Sequence, residues 1–479
     1  MKNIIKIFVL GSTLLAFSCN EDLLSPIPAT TFSETVVFET QDRIDQVLAG
    51  LYSSIQSGQF LGGRYQVYND IRAEEFSNRT TNGVTGLATW QHTTVSTTNE
   101  VVNLWEQCYL TINRVNIFID AMENTTVITT EQAQEYIAQA RFIRGITYYS
   151  LLQLYARPYT SDNGASPGLP LRIQPEIDEQ NNDLARSSVA EVYAQILSDL
   201  DFAENNLSLD RSSAFYNTTR AHRNSAIAYK TRVYLTMGDY ANVISEANKI
   251  VTGTAPFTAT SGVAHALQPS IDNVFSTPYT TTESIFSMPF TELNLPGTQN
   301  GLGSYYNPGP NGIGDYSLNM EQGIFTTDVF EEANDDRAEW KMEANGFTYL
   351  NKFPTGPQHL DYAPVIRYAE VLMNLSEALV KSGGDQARAL ALLNAVRTRS
   401  NPSGAYGVFG SADAFVEAIL AERRLEFIGE GLRSIDLLRT GQTIPGKENI
   451  APVSPSAPEY IWPISANELL FNNLMVPND

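Results

Sequence analysis

The chain has two cysteines, Cys19 and Cys108, in 479 residues. Two thiols make no disulfide framework and no thiolate metal site. Histidine is as sparse: His92, His222, His265 and His359 are scattered, with no His-Glu-x-x-His pair to hold zinc. No Gly-x-Ser-x-Gly elbow is present. Basic residues are few, 31 against 53 acidic ones, and the net charge of −22 repels nucleic acid and anionic membrane surfaces. Long apolar runs are missing too. The stretch from Ile4 to Ser18 is shorter than the roughly 20 residues a membrane span needs. No later stretch reaches that length.

That short stretch has a layout of its own. Lys2 and Lys6 precede an apolar run that ends in Leu15-Ala16-Phe17-Ser18, followed directly by Cys19. A basic start, an apolar core and small residues before a cut make a secretory signal. The cysteine makes the end resemble a bacterial lipobox, in which the thiol receives lipid and becomes the mature N-terminus. The expectation is a signal over residues 1–18, lipidation at Cys19 and a tether over residues 19–40. Lipid is then the only membrane attachment, and stable anchoring takes more than one acyl chain. Cys108, within Leu104-Trp105-Glu106-Gln107-Cys108-Tyr109, reads as a small buried apolar group.

With 43% hydrophobic residues the chain can bury a sizeable core, and its aromatics are led by 23 Tyr and 22 Phe. Apolar residues at helical spacing predict helices over residues 42–55, 99–122 and 130–156. Thr129-Thr130 is a helix start and Arg157-Pro158 a stop. Two later segments share a turn. Tyr234, Val243, Ala247 and Ile250 flank Gly238-Asp239 at the same offsets as Val380, Ala389, Leu393 and Val396 flank Gly384-Asp385. This pattern resembles the tetratricopeptide helical hairpin, though the two units are too far apart for a tandem array. Residues 58–98 and 253–360 differ in character. The run from Leu295 to Gly312 has a backbone breaker at almost every third residue and is expected to be non-helical. A long irregular segment inside a compact chain is usually functional or disordered.

Several segments, in order, resemble the SusD/RagB family of Bacteroidetes surface lipoproteins. The strongest runs from Ala421-Glu422-Arg423-Arg424-Leu425-Glu426 to Asp436-Leu437-Leu438-Arg439. Others are Ala140-Arg141-Phe142-Ile143-Arg144-Gly145, Gly168-Leu169-Pro170-Leu171, Asp335-Asp336-Arg337, Pro364 to Ala378, and Tyr460-Ile461-Trp462-Pro463-Ile464. Thr440 stands where a tryptophan often follows, and Phe471-Asn472-Asn473 departs from the usual tail. The resemblance implies a single SusD-like domain over 41–479: a mostly α fold in which tetratricopeptide-like helical hairpins form a frame, about 41–57, 99–252 and 361–440. Residues 58–98 and 253–360 form a loop-rich, ligand-facing side that carries short strands. It implies a non-enzymatic lipoprotein outside the outer membrane, which caps a SusC-like TonB-dependent transporter barrel and passes oligosaccharide or peptide to it. Glu21-Asp22 resembles the acidic surface-sorting signal of such lipoproteins.

Stacking a sugar ring needs an aromatic face with amides or guanidinium groups beside it. The candidates are Trp90 with Gln91; Tyr65 and Tyr68 with Asn69 and Arg72; and Tyr305, Tyr306 and Tyr316 with Asn307 and Asn311. Trp105 and Trp462 are expected in the core. No metal or cofactor is expected. Adjacent acids such as Glu74-Glu75 follow from composition, and Glu422 and Glu426, one helical turn apart, are expected in a buried ion network with Arg423 and their neighbours. The alternatives are a periplasmic tetratricopeptide scaffold without a small ligand, and a surface glycosidase.

Overall fold

The computed structural model describes residues 37–178 and 180–478, so the expectations for Cys19 and Glu21-Asp22 lie outside the described residues. Its frame is a row of antiparallel helices. Helix α1 is Gln41–Gln56, α2 Arg64–Ile71, α3 Asn99–Glu123, α4 Thr130–Tyr155, α5 Val189–Asn206, α6 Arg223–Met237, α7 Tyr240–Ala247, α8 Tyr368–Lys381, α9 Gln386–Ser400, α10 Ala412–Glu426 and α11 Arg433–Arg439. From α3 to α9 each helix packs on the next, and α10 returns onto α8. Helix starts follow local chemistry: the side chains of Thr40, Thr129 and Ser188 accept N–H groups from the first turns of α1, α4 and α5. Helix α4 ends at Tyr155, just before Arg157-Pro158.

The two hairpins predicted from the repeated glycine turn are present as α6–α7 and α8–α9, with one correction. Gly238 takes the left-handed conformation at φ +75°, and its successor's N–H returns to the Tyr234 carbonyl at 2.9 Å. In the second hairpin the left-handed residue is Gly383, φ +69°, and Gly384 makes the equivalent return bond to Leu379 at 2.8 Å. The same helix stop is therefore followed by one extra residue before the next N-cap. The helices after both turns start alike, with Asp239 and Asp385 accepting N–H groups at 3.2 and 2.9 Å.

Three two-stranded antiparallel sheets sit on the loop-rich side. Strand β1 (Phe76–Asn78) pairs with β3 (Tyr316–Leu318), β2 (Ser284–Met288) with β6 (Ala363–Arg367), and β4 (Lys341–Ala344) with β5 (Phe347–Leu350). Asn345-Gly346, both at positive φ, closes the last hairpin. Loops and frame share one hydrophobic core, which includes Trp105, Phe286, Tyr306, Leu372 and Trp462. Cys108 is a free, fully buried thiol within it.

The irregular regions are more ordered than their composition implies. Helix α2 and a helical turn, Leu87–Gln91, lie inside 58–98, and Leu302–Tyr306 is helical inside the run expected to be non-helical. All eight residues of α2 are buried, so it carries no one-sided apolar stripe to reveal it.

A buried charge network joins the two parts. Arg337, Lys352, Arg367, Arg397 and Arg399 meet Glu283, Asp335, Glu422, Glu426 and Glu430, all almost fully buried. Arg337 spans Asp335 at 2.7 Å and Glu422 at 2.6 Å. Arg399 spans Glu283 at 2.8 Å and Glu426 at 2.5 Å. Arg423, expected alongside Glu422 and Glu426, instead pairs with Asp436 at 2.8 Å, because its position on α10 faces α11. Arg424 and Arg433 hold Glu74 and Glu75, tying α10 and α11 to the segment after α2.

Burial disfavours charge on Glu426, but Arg399, Arg367 and Arg337 outweigh it and hold its carboxyl at about 2; Arg423 and Arg439 do the same for Asp436, also about 2. Both groups lie below their ordinary range. Their stabilisation is complete above about pH 4.5 and is lost as pH falls towards 2. Chemical unfolding followed from pH 6 to 2 is expected to show that loss. Arg337→Met leaves buried carboxylates without a partner and is expected to cost about 3–5 kcal/mol at pH 7.

Candidate functional site

The loop-rich side carries an open cleft of about 470 Å³ between the segments 295–299, 310–313 and 357–359. Leu295, Pro296, Pro310, Ile313 and Pro357 give it apolar walls, and Gln299, Asn311, Gln358 and His359 give it polar ones. Leu295 and Ile313 are 48% and 49% exposed, so the apolar faces are open to solvent. Each side-chain amide offers donors and an acceptor, the complement of a hydroxyl.

Two wall residues that are not glycine, Gln299 at φ +58° and His359 at φ +57°, have left-handed backbones. Such a conformation costs on the order of 1–3 kcal/mol, and residues held in it cluster at ligand sites. Burial lowers the pKa of His359 and keeps its ring neutral. Its Nδ1 is buried without a hydrogen-bond partner.

The cleft rests on close backbone packing. A side chain at Gly312 would collide with the Asn307 carbonyl, and one at Gly356 with the Asn311 backbone. Gly312→Val is therefore expected to lower the melting temperature and to abolish ligand binding by displacing the 310–313 wall.

The structure corrects the expectation that the loop aromatics are displayed. Trp90, Tyr65, Tyr68, Asn69, Arg72, Tyr305, Tyr306, Asn307 and Tyr316 are all buried, and only Gln91 is half-buried. A ring with both faces covered offers no stacking platform. Several of their polar groups hold the main chain: the Trp90 indole N–H donates to Phe76 O at 2.9 Å, Arg72 to Tyr460 O at 2.7 Å and Tyr316 to Thr85 O at 3.0 Å. Some lie directly beneath the cleft. Tyr305 donates to Gln299 O at 2.8 Å and Asn307 to Phe353 O at 2.6 Å; beside them Arg64, not a predicted residue, donates to Asn300 Oδ1 at 2.7 Å. The predicted residues thus form the layer below the surface, while Asn311, at the rim, is exposed. Trp105 and Trp462 are in the core as expected.

Sequence reasoning missed a half-buried aromatic pair beside the cleft. Tyr279 and Tyr362 stack with ring centroids 4.9 Å apart at 22°. Tyr279, at φ +62°, shares a hydrogen bond with Thr355 at 3.0 Å and donates to Asp361 at 3.2 Å, at the ends of the loop that forms the 357–359 wall. A tyrosine directly after Thr277-Pro278 was the available signal. The histidines are also less scattered than in sequence. His222 and His265 stack 5.3 Å apart, and burial lowers both, His265 to about 4. Among the described residues no group of three or more His, Cys, Asp or Glu is arranged to hold a metal ion.

Below the cleft, Asp70 accepts the Gly431 N–H at 2.9 Å and faces the Tyr306 hydroxyl at 3.4 Å. Burial, only partly opposed by the Gly431 N–H, raises its carboxyl to about 8. The folded protein then keeps a proton that the unfolded chain releases above about pH 4, so stability drains away as pH rises from 4 to 8. Asp70→Asn keeps the acceptor without the charge. Its stability relative to the parent is expected to grow between pH 5 and 8 in urea titrations, and a pH-independent difference would contradict this.

Residues 22–235 match a SusD-like family model described as starch-binding and associating with the outer membrane, and residues 231–479 match the SusD family model. The chain belongs to the SusD family. A SusD superfamily protein from Bacteroides fragilis is 32% identical, with a TM-score of 0.83 over 92% of this chain and 99% of that one. SusD-like protein P2 of Formosa agariphila is 22% identical over 99% of each chain. A laminarin-binding SusD-like protein shares the fold, at 23% identity and a TM-score of 0.71 over 92% of this chain and 99% of that one. Family members are binding proteins associated with the outer membrane. Among the described residues no helix is long and apolar enough to cross a membrane.

Proposed function

We propose that this protein captures glycans at the cell surface and delivers them to a SusC-like TonB-dependent transporter, without turning them over. The observation that carries the reading is the cleft, with Gln299 and His359 held in left-handed conformations at an open wall of apolar and amide side chains. A glycan fits this chemistry: its C–H faces lie on Leu295 and Ile313, and its hydroxyls bond the amides of Gln299, Asn311 and Gln358. The half-buried Tyr279–Tyr362 pair, bonded to both ends of the loop that forms the 357–359 wall, adds an aromatic surface. The starch-binding description of the matching family and the laminarin-binding relative support the ligand class. In this reading Cys19 carries the lipid, Glu21-Asp22 directs the chain outward, and the buried aromatics from Tyr65 to Tyr316 position the cleft from below.

Isothermal calorimetry against starch and laminarin oligosaccharides, with peptides as a second panel, tests the site. The double variant Gln299→Ala/Gln358→Ala is expected to weaken glycan binding at least tenfold with an unchanged melting temperature. Trp90→Ala is expected to destabilise the fold instead. Undiminished binding by the double variant overturns the site. Protease shaving of intact cells tests the location, since a scaffold facing the periplasm survives it. Product release from the oligosaccharides would identify a glycosidase.

A further inference from the structure

A second surface feature stands apart from the cleft. Arg220 is the one described arginine whose guanidinium has neither a hydrogen bond nor an ion pair; its contact is the Tyr52 ring, with Cζ 4.1 Å from the centroid. Tyr52 is fixed beneath it, donating to Gln139 at 2.7 Å and accepting the Ala221 N–H at 2.9 Å. Two acids line the same depression: Glu135 is neutralised by Arg211 at 2.5 Å, and Asp45, which pairs with no cation among the described residues, accepts the Tyr136 hydroxyl at 2.5 Å. An unneutralised, half-buried cation in a chain of net charge −22 is an uncommon arrangement.

Arg220 sits where two depressions meet. One, about 190 Å³, runs past Ser53, Phe215 and Asn294; the other, about 460 Å³, past Tyr136 and Tyr216; Ala49 and Arg220 line both. Phe215 and Tyr216 are 40% and 42% exposed, with ring centroids 5.2 Å apart. An exposed aromatic patch beside a free guanidinium matches a pyranose ring that bears an anion: the ring lies on the apolar face and the fork takes the anionic group. The hydroxyl of Ser53 and the amide of Asn294 offer partners for its hydroxyls.

We infer that the groove around Arg220 is a binding site for acidic saccharides, carrying a carboxylate or a sulfate ester, separate from the cleft between residues 295–299 and 357–359. Trigalacturonate, its methyl ester and a sulfated galactose trisaccharide, titrated by calorimetry into the full folded chain, test it. Trigalacturonate or the sulfated sugar is expected to bind at least tenfold more tightly than the ester, and which of them binds identifies the anion. Arg220→Gln is expected to remove that preference. Because Arg220 also packs on Tyr52, Ser53→Trp, which fills the groove from an exposed position, is the second variant and is expected to block the same ligand. Failure of both acidic sugars to bind more tightly than the ester, binding unchanged in either variant, or capture of an acidic peptide in place of the sugars overturns the inference. Neutral glucans separate this site from the cleft: their binding is expected to survive Arg220→Gln and to fail in Gln299→Ala/Gln358→Ala. Loss of either result leaves the other standing.

Discussion

The charged seam from Glu283 to Glu430 is the constraint on which the rest of the molecule depends. Charges taken out of water must find partners, and here each of five cations meets carboxylates contributed by other segments. Hydrophobic contact is tolerant of small slips, but a buried fork on a carboxylate is not. Helices α9 and α10 therefore fix where the segments around Glu283, Asp335, Lys352 and Arg367 run, and those segments carry the loop-rich side. The Lys352 ammonium passes this order outward, since it also lies 4.2 Å from the Trp340 ring and 4.5 Å from the Phe275 ring, next to Phe353.

This explains what the most recognisable motif is for. Glu422, Arg423, Arg424, Glu426, Asp436 and Arg439 are all buried or paired inward, and none lines the cleft. The motif that reveals the family holds the scaffold together, while the segments that line the cleft are Gly- and Pro-rich turns with weak sequence signals. The family motif and the cleft lie in different parts of the chain.

The helical frame was legible because its periodicity, caps and stops are local. Thr129, Asp239 and Asp385 act within one turn of themselves, and the apolar stripe of α1 repeats at helical spacing. The one-residue difference between the glycine turns was not legible, since Gly383 and Gly384 are chemically identical and the positive φ falls on only one. The aromatics of the irregular regions were placed one layer too far out. Composition shows that a segment breaks helices but not which of its rings face inward: Tyr305 and Tyr306 are covered, while Tyr279 is half-exposed. Burial there depends on contacts distant in sequence, such as Phe76 stacking on Tyr306 at 4.7 Å.

Beneath the cleft, the strands of chain touch main chain to main chain at Gly312 and Gly356, where nothing larger than hydrogen fits. The residues above them, Leu295, Asn311 and Gln358, point into open space. A larger side chain is thus accommodated at the rim, where it costs the scaffold little, and not at the glycines beneath. In the proposed reading, a change of ligand takes only a few outward side chains, and the glycine seat beneath them is kept.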